Sequence, residues 1–511
     1  MKPNVLWIMS DQHNANCTGY RQHPNVRTPN LDRLAAGGVD FTQAYVNNPV
    51  CSPSRICLMT GQYVHTHGFH GNVNFEYPES NPYTLACQLR KYGYQTALIG
   101  KSHMVGRWDR EGFEHVRYCD MADAERGDPT TNHYFQYLDR LGLADFYEEG
   151  TPKPGQAYTM DGSGPAQLPY EHSIERFTGR ETLEFLETRD KERPFFVKMS
   201  FQRPHAPISP SADHFDMYDP EDIVLPDSAV DYLERRFAGK PAFMREKLKD
   251  GCGYPLADPN PERLKRCLAS YYSLITVIDQ EIGHVLDFLE SAGELDNTII
   301  VYLADHGDFA GEHGLFHKNF GIYDSIQHIP LLLRYPGGPQ GVRCPEIVEA
   351  VDLYPTVCEL CGVPVPDVVD GTSVLPALEG SRPGKDAAYC EWNFQGEKMT
   401  AIRTKEYRLV LYQKAGEGEL YDHRSDPGEV LNVWSDPAYQ AVKMELMQRL
   451  LAFSMDYATR SNMGTDAVNR QRTRHTPTVL LHTGKAYWSQ LKRAYAQSLP
   501  WPPGANEPGS D

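Results

Sequence analysis

The feature that most constrains the fold is an alternation of short apolar runs with helical stretches along the first 340 residues. The helical stretch with the clearest pattern covers residues 270–292, where apolar side chains recur every three or four positions. Such an alternation is typical of a sheet covered on both faces by helices. We therefore predict an α/β fold whose mixed, mostly parallel sheet is sandwiched by helices. The predicted strands are 5–10, 95–99, 194–201, 297–304 and 329–335.

The character of the sequence changes after about residue 380. Three short runs there are typical of antiparallel strands, and a helical stretch follows at 437–457. We predict a large domain over 1–380 and a small antiparallel-sheet subdomain over 381–460. The remaining tail, 461–511, is polar but holds two apolar segments that are expected to be covered, so we predict that it contacts a neighbouring subunit in a homo-oligomer.

Charge and composition exclude several classes of partner. A net charge of −18 argues against nucleic acid and against an anionic membrane surface. No apolar run is long enough to span a bilayer, and the first residues do not have the pattern of an export signal, so a cytoplasmic location is expected. The 11 cysteines lack regular spacing, and the pair Cys358 and Cys361 is predicted to pack in the core.

Polar residues follow two of the predicted strands at their carboxyl ends. Asp11 and Gln12 follow the first strand, and Asp305 and His306 follow the strand at 297–304. Ligands bind at this edge of parallel sheets, although an isolated Asp there can also be only a turn or cap residue. Two carboxylates, an amide oxygen and an imidazole would bind one divalent cation. Oxygen ligands suit Ca²⁺, and the imidazole also admits Mn²⁺.

Basic residues follow two further strands. Lys101 and His103 come after the strand at 95–99, and His205 comes after the strand at 194–201. Gly100-Lys101 lacks the upstream glycines of a phosphate-binding loop, and an isolated loop histidine is often only a solvated side chain. Cations at the same sheet edge would nevertheless supply the local charge that an anionic substrate needs.

The run from Cys51 to Gly61, CSPSRICLMTG, places a thiol and a guanidinium one helical turn apart. Arg55 keeps its charge at any working pH and offers a planar set of donors suited to tetrahedral oxyanions. Tyrosine-phosphatase-like loops differ because they place five residues between Cys and Arg. The alternative is a buried structural cysteine, a common fate of free thiols.

This run resembles the signature of the type I sulfatases, Cys-x-Pro-Ser-Arg-x-x-Leu-x-Thr-Gly, at every specified position. Asp305-His306-Gly307, followed by Gly314 and Lys318, resembles their second signature. Lys101 and His103 match the family's Gly-Lys-x-His pair, and His205 matches a histidine that faces the leaving group. The resemblance covers about residues 1–440 and implies an alkaline-phosphatase-like fold with a small C-terminal sheet.

The resemblance also implies the cofactors and the roles of the site residues. Cys51 would be oxidised to formylglycine (3-oxoalanine) by a formylglycine-generating enzyme, and the hydrated aldehyde would be the nucleophile. Asn72 is a candidate for binding a substrate oxygen, but a turn-forming role explains it equally well. The implied metal ligands are Asp11, Gln12, residue 51, Asp305 and His306; the implied catalytic residues are Cys51, Arg55, Lys101, His103, His205 and Lys318; and the implied substrate contacts are Asn72, Lys101, His205 and Lys318.

The expected function is hydrolysis of small anionic sulfate monoesters, as in arylsulfatases. The pairs Asp11-Gln12 and Asp305-His306 resemble the branch that contains choline sulfatases and phosphonate monoester hydrolases. The phosphonate enzymes replace the Gly-Lys-x-His pair by non-basic residues, whereas this chain keeps Lys101 and His103. The alternatives are therefore a choline sulfatase, a phosphonate monoester or phosphodiester hydrolase on the same scaffold, and a catalytically inactive binding protein with this fold.

Overall fold

The structure is a computed structural model that describes residues 2–72, 81–104, 112–120, 132–146, 165–249, 260–318, 320–394 and 396–462. The predicted tail at 461–511 therefore lies, from residue 463 onwards, outside the described residues. The strands are β1 (Asn4–Asp11), β2 (Val39–Tyr45), β3 (Gln95–Gly100), β4 (His115–Tyr118), β5 (Phe195–Pro204), β6 (Thr298–Ala304), β7 (Leu331–Arg334), β8 (Val342–Glu349), β9 (Ala387–Phe394), β10 (Glu397–Thr404), β11 (Tyr407–Tyr412) and β12 (Gly418–Asp422).

These strands form an eight-stranded sheet and a separate four-stranded sheet. The order of the large sheet is β4-β3-β5-β1-β6-β7-β2-β8. Strands β4, β3, β5, β1 and β6 are parallel to one another. Strand β7 is antiparallel to both β6 and β2, and β8 is parallel to β2. The predicted mixed, mostly parallel sheet is confirmed, with β2, β4 and β8 as additional strands that the apolar pattern did not reveal.

Helices cover both faces of the large sheet. The longest, α10, begins nine residues before the predicted start at 270 because Asn260 caps it. The Asn260 side chain accepts hydrogen bonds from the amides of Glu262 and Arg263, and Pro261 occupies the first helical position. The helices are α1 (Pro29–Ala36), α2 (Cys51–Thr60), α3 (Val64–His67), α4 (Leu85–Lys91), α5 (His133–Arg140), α6 (Ile174–Thr188), α7 (Ala212–Phe215), α8 (Val230–Leu233), α9 (Ala242–Lys249), α10 (Pro261–Ser291), α11 (Asp324–Gln327), α12 (Leu353–Leu360), α13 (Leu375–Leu378) and α14 (Gln440–Asn462).

Strand β1 shows how the core is divided into two layers. One face of β1 carries Val5, Trp7 and Met9, which pack into a core cluster beneath α2 and α12. The same cluster contains Cys358 and Cys361, as predicted. The alternate residues Leu6 and Ile8 pack on the opposite face against α6 and α10. A strand that is buried on both faces is a rigid base for the residues at its carboxyl end.

The small sheet has the order β12-β11-β10-β9 and is antiparallel throughout. Helix α14 covers one of its faces, where Leu446 and Leu450 pack with Leu409 and Leu420. This arrangement confirms the predicted small antiparallel sheet, and the boundaries at 380 and 460 stay predictions. Within the described ranges, no helix combines the length and the apolar character needed to cross a bilayer.

Candidate active site

Asp11 and Asp305 lie side by side at the carboxyl edge of the large sheet. Strands β1 and β6 are parallel neighbours, with Ser10 opposite Ala304, so the residues that follow them emerge together. The backbone amide of Gln12 donates to Asp305 Oδ1 at 3.0 Å, which joins the two strand ends. The structure thus brings together the two acidic residues that the sequence placed at separate strand ends.

Cys51 is the first residue of helix α2 and points into this edge. Its Sγ lies 3.2 Å from His306 Nε2 and 3.9 Å from Asp11 Oδ1, and the side chain is buried. Asn72 lies beside the start of the same helix, where its Oδ1 accepts a hydrogen bond from the Ser52 amide at 3.1 Å. This contact favours a capping role for Asn72, since it satisfies an amide that the first helical turn leaves without a partner.

Four buried residues form a group that could hold a metal ion. One ligand atom from each of Asp11, Cys51, Asp305 and His306 lies within 4.8 Å of the others. His306 Nδ1 donates to the Gly307 carbonyl at 2.8 Å, which leaves Nε2 facing the group with its lone pair. Burial lowers the pKa of His306 to about 4, so the imidazole is neutral. Two carboxylates and a neutral imidazole suit a divalent cation.

A second group of acidic and histidine side chains, Asp324, His423 and Glu429, has similar spacing. Two arginines already occupy it. Arg403 donates to Asp324 at 3.0 Å and to His423 Nδ1 at 2.9 Å, and Arg408 pairs with both Asp324 and Glu429. Because guanidinium groups neutralise these carboxylates, the group is an ion-pair network that joins α11 to the small sheet.

Arg55 fixes the orientation of both metal-facing carboxylates. Its Nε donates to Asp305 Oδ2 at 2.6 Å, and its Nη2 donates to Asp11 Oδ2 at 3.0 Å. Its Nη1 donates to the Lys101 carbonyl at 3.1 Å and to Ser200 Oγ at 3.0 Å. Although burial opposes the charge, Asp305 and Asp11 hold the pKa of Arg55 above its usual range. Since Arg55 binds the two Oδ2 atoms, the two Oδ1 atoms face the metal group.

Lys101 follows β3 and lies against the same carboxylate. Its Nζ is 2.7 Å from Asp11 Oδ2, and both side chains are buried. Burial opposes the ammonium charge, but Asp11 and Asp120 raise the pKa of Lys101 above its usual range. Burial would raise the pKa of Asp11, yet the charges of Lys101 and Arg55 hold it well below its usual value. Asp11 is therefore a carboxylate in the resting site.

The two predicted histidines differ in their surroundings. His103 is 7% exposed, and its Nδ1 has no hydrogen-bond partner among the described residues. His205 is held by the Asp11 carbonyl, which accepts from its backbone amide at 3.1 Å, and its Nδ1 donates to the Ala206 carbonyl at 2.8 Å. Burial, reinforced by the charge of Lys318, lowers the pKa of His205 well below its usual value. His205 is therefore neutral, with Nε2 as an acceptor.

Gln12 and Lys318 are joined directly, since Lys318 Nζ donates to Gln12 Oε1 at 2.6 Å. The predicted amide ligand thus faces the lysine in this structure. Gln12 Nε2 lies 2.9 Å from His317 Nδ1 and also donates to Asp308. Sequence reasoning missed His317, and its position next to Lys318 in the chain is the signal that could have revealed it.

This arrangement can bind and stabilise a compact anion. A buried nucleophile position, a group able to hold a cation, a buried lysine at 101 and a lysine at 318 converge on one sheet edge. Preorganised positive charge in such a site is usually the largest contribution to catalysis of reactions at anionic esters.

Comparisons with known proteins agree with this chemistry. The family model described as Sulfatase matches residues 3–363, and the model described as N-sulphoglucosamine sulphohydrolase, C-terminal, matches residues 311–456. An arylsulfatase of Clostridium perfringens (strain 13 / Type A) is 30% identical over 472 residues, which cover 88% of this chain and 94% of that protein.

Solved structures give the same result. The phosphonate monoester hydrolase of Agrobacterium radiobacter superposes with a TM-score of 0.75 at 25% identity, covering 89% of this chain and 96% of that one. A structure solved in complex with its substrate D-glucosamine-2-N,6-O-disulfate has a TM-score of 0.70 at 25% identity, covering 91% and 100%. The chain belongs to the sulfatase family of the alkaline phosphatase superfamily and is an enzyme that hydrolyses sulfate esters.

Proposed function

We propose that the protein hydrolyses small sulfate monoesters, using formylglycine formed from Cys51 as nucleophile and one divalent cation. The observation that carries the proposal is the burial of Cys51 against Asp11 and His306, inside the group that could hold a metal ion. Formylglycine would supply one hydroxyl as the nucleophile towards sulfur and a second hydroxyl whose deprotonation would expel sulfate and restore the aldehyde, and the cation would supply Lewis-acid stabilisation.

Lys318 and His205 are the residues proposed to serve the leaving group. Lys318 Nζ carries donor hydrogens, one of which binds Gln12 in the resting site. His205 is neutral there and takes up a proton when an anionic ester enters, because the negative charge raises the imidazole pKa. Either group can then donate a proton to the departing alcohol oxygen.

His103 is proposed to accept the proton whose loss releases sulfate. An unpartnered ring nitrogen in a buried position costs free energy that a new hydrogen bond recovers. The nitrogen is therefore ready to accept a hydrogen from the side chain at position 51. Lys101 acts beside it by offsetting the charge of the transferred group, while Arg55 holds the carboxylates in place.

We infer that the cation is Mn²⁺ rather than Ca²⁺. Ca²⁺ prefers six to eight oxygen ligands, whereas Mn²⁺ accepts an imidazole nitrogen beside carboxylates. The neutral His306 Nε2 faces the group, which supports a nitrogen ligand.

A phosphonate monoester or phosphodiester hydrolase is the second candidate, favoured by the similarity to the Agrobacterium enzyme. The presence of Lys101 and His103 argues for a sulfate ester, since the phosphonate enzymes that the chain resembles replace this pair by non-basic residues. Kinetics on three substrates separate these functions: 4-nitrophenyl sulfate, a 4-nitrophenyl phosphonate monoester and bis(4-nitrophenyl) phosphate. The rates are measured on the matured and metal-loaded protein. We expect the highest kcat/KM on the sulfate. A preference for the phosphonate would assign the rival function, and no turnover would favour the inactive binding protein.

The remaining features of the proposal concern assembly and location. We propose a cytoplasmic homo-oligomer in which the tail at 461–511 contacts a neighbouring subunit, matured by a formylglycine-generating enzyme. Light scattering on the full chain and on a chain ending at residue 462 tests the assembly. An oligomer that the truncation dissociates supports the proposal, and a full-length monomer contradicts it.

A further inference from the structure

The loop that carries Lys318 also carries His317, a buried residue that the mechanism above does not use. His317 is 5% exposed, and its backbone has a positive φ of 67°. Its amide donates to Asp308 Oδ1 at 3.0 Å, and the Ala310 amide donates to the same oxygen at 2.6 Å. Asp308 therefore holds the loop so that His317 and Lys318 face the same side-chain amide, that of Gln12.

The partners of Gln12 determine which way its amide points. An ammonium group has only donors, so the atom of Gln12 that lies 2.6 Å from Lys318 Nζ must be the carbonyl oxygen. A carboxylate only accepts, so the atom that faces Asp308 Oδ2 must be Nε2. Both partners thus assign the same orientation independently.

His317 completes this arrangement. Gln12 Nε2 lies 2.9 Å from His317 Nδ1 and cannot accept a hydrogen bond, so Nδ1 is the acceptor. Because Nδ1 accepts, the ring carries its hydrogen on Nε2. Asp308 and His317 together bind both hydrogens of the amide, which leaves Oε1 for Lys318.

We propose that His317 is a positioning residue that acts through Nδ1 on Gln12, and through Gln12 on Lys318. The proposal rests on the proposed function insofar as Lys318 serves the leaving group. Without an acceptor at His317, the amide can rotate and present a hydrogen to the Lys318 ammonium. Lys318 would then lose its acceptor at 2.6 Å and its fixed position beside the reacting ester.

A direct catalytic role is the competing explanation. The ring centroids of His317 and His205 are 6.2 Å apart at an interplanar angle of 66°, so His317 lies near a residue of the proposed leaving-group site. The two ring nitrogens separate the roles: positioning uses Nδ1, whereas a contact with substrate would use the Nε2 hydrogen.

Two substitutions isolate the two nitrogens. His317→Asn keeps a polar group at the δ position and suits a positive φ, while His317→Gln places its amide at the ε position. We expect His317→Asn to keep kcat/KM within about threefold of wild type, and His317→Gln and His317→Leu to lose roughly tenfold, the size of one lost hydrogen bond. If His317→Gln kept the wild-type kcat/KM and His317→Asn lost it, the positioning role would be overturned in favour of a substrate contact.

A double-mutant cycle with Gln12→Leu provides the second test. If His317 acts only through Gln12, His317→Leu should cause no further loss of kcat/KM in the Gln12→Leu background, with all four proteins compared at equal bound metal per chain and with measurable activity left in Gln12→Leu. Additive losses would overturn the proposal, and so would a His317→Leu protein with less bound metal per chain or a lowered thermal midpoint. The assay uses whichever ester class the wild type prefers, so the pattern among variants tests His317 while the wild-type preference tests the proposed function.

Discussion

Lys101 Nζ lies 2.7 Å from Asp11 Oδ2, an oxygen that also accepts a hydrogen bond from Arg55 at 3.0 Å. Two cations therefore hold one oxygen of this carboxylate, and the other oxygen is turned towards Cys51 and His306. Lys101 thus acts both on a carboxylate of the metal group and on the space where an anionic ester would bind.

Lys101→Ala is expected to lower kcat/KM on an aryl sulfate by about a hundredfold, the size of losing one charged group that stabilises the transition state. The loss on a phosphodiester should be smaller, because a diester offers two non-bridging oxygens to surrounding cations where the sulfuryl group offers three. Steady-state kinetics on both substrates give the comparison, with the exposed Lys91→Ala as control. Equal losses on the two substrates would contradict the assigned role.

Arg55→Met should destabilise the metal-free protein by about 3 kcal/mol, because it leaves the buried Asp305 carboxylate without its cation and Asp11 with Lys101 alone. Arg33→Met is the matched control. Arg33 makes ion pairs just as short, to Asp287 and Glu290, but on the surface, where such pairs contribute about 0–1 kcal/mol. Chemical denaturation measures both, and added Mn²⁺ should restore part of the loss in Arg55→Met only. Similar effects of the two substitutions would show that burial does not set the strength of the pair.

Asp305→Ala is expected to abolish stoichiometric metal binding, since it removes a carboxylate from the group around Cys51. Asp324→Asn is the control from the second acidic group, whose carboxylates are paired with Arg403 and Arg408. Elemental analysis after dialysis should find one ion per chain in wild type and in the control. Full occupancy in Asp305→Ala, or its loss in Asp324→Asn, would place the ion elsewhere.

Part of the acid sensitivity of the fold should come from His328. Burial, together with the charge of Arg21, whose Nη1 is 3.4 Å from Nε2, lowers the pKa of His328 to about 3. The unfolded chain binds this proton near pH 6.5, so the free energy of unfolding falls as the pH drops from 6.5 towards 3. His328→Gln cannot titrate and should reduce this slope by up to about 1.4 kcal/mol per pH unit. Urea denaturation at pH 7.5 and pH 5 measures the slopes, and identical slopes would exclude the contribution.

The positions of the central strands in the sequence could be predicted because their residues are almost uniformly apolar. Residues 5–10 and 297–304 were recognised in this way, and their polar successors Asp11 and Asp305 do meet. Strand β2, Val39–Tyr45, was missed because Asp40, Thr42 and Gln43 interrupt its apolar pattern. Only the pairing of β2 with β7 and β8 shows that it is a strand.

The site residues could be predicted at positions that carry a motif. They were much harder to predict where contacts between distant parts of the sequence determine a residue's partner. The motif located Cys51 and Arg55, but it did not show that Arg55 binds the two metal-facing carboxylates. Gln12 was predicted as a ligand from its position after β1, and only the structure shows its oxygen on Lys318. His317 lies in a loop without periodicity, so apart from its place next to Lys318 nothing local indicates its contact with Gln12, more than 300 positions away.

The central claim is that Cys51 becomes the nucleophile by oxidation to formylglycine. The most direct measurement is the mass of the peptide that contains residue 51, from protein produced together with a formylglycine-generating enzyme. The account predicts the mass of the aldehyde or its hydrate, with sulfatase turnover proportional to the converted fraction and abolished in Cys51→Ala. An unconverted thiol in fully active protein, or turnover retained by Cys51→Ala, would contradict it.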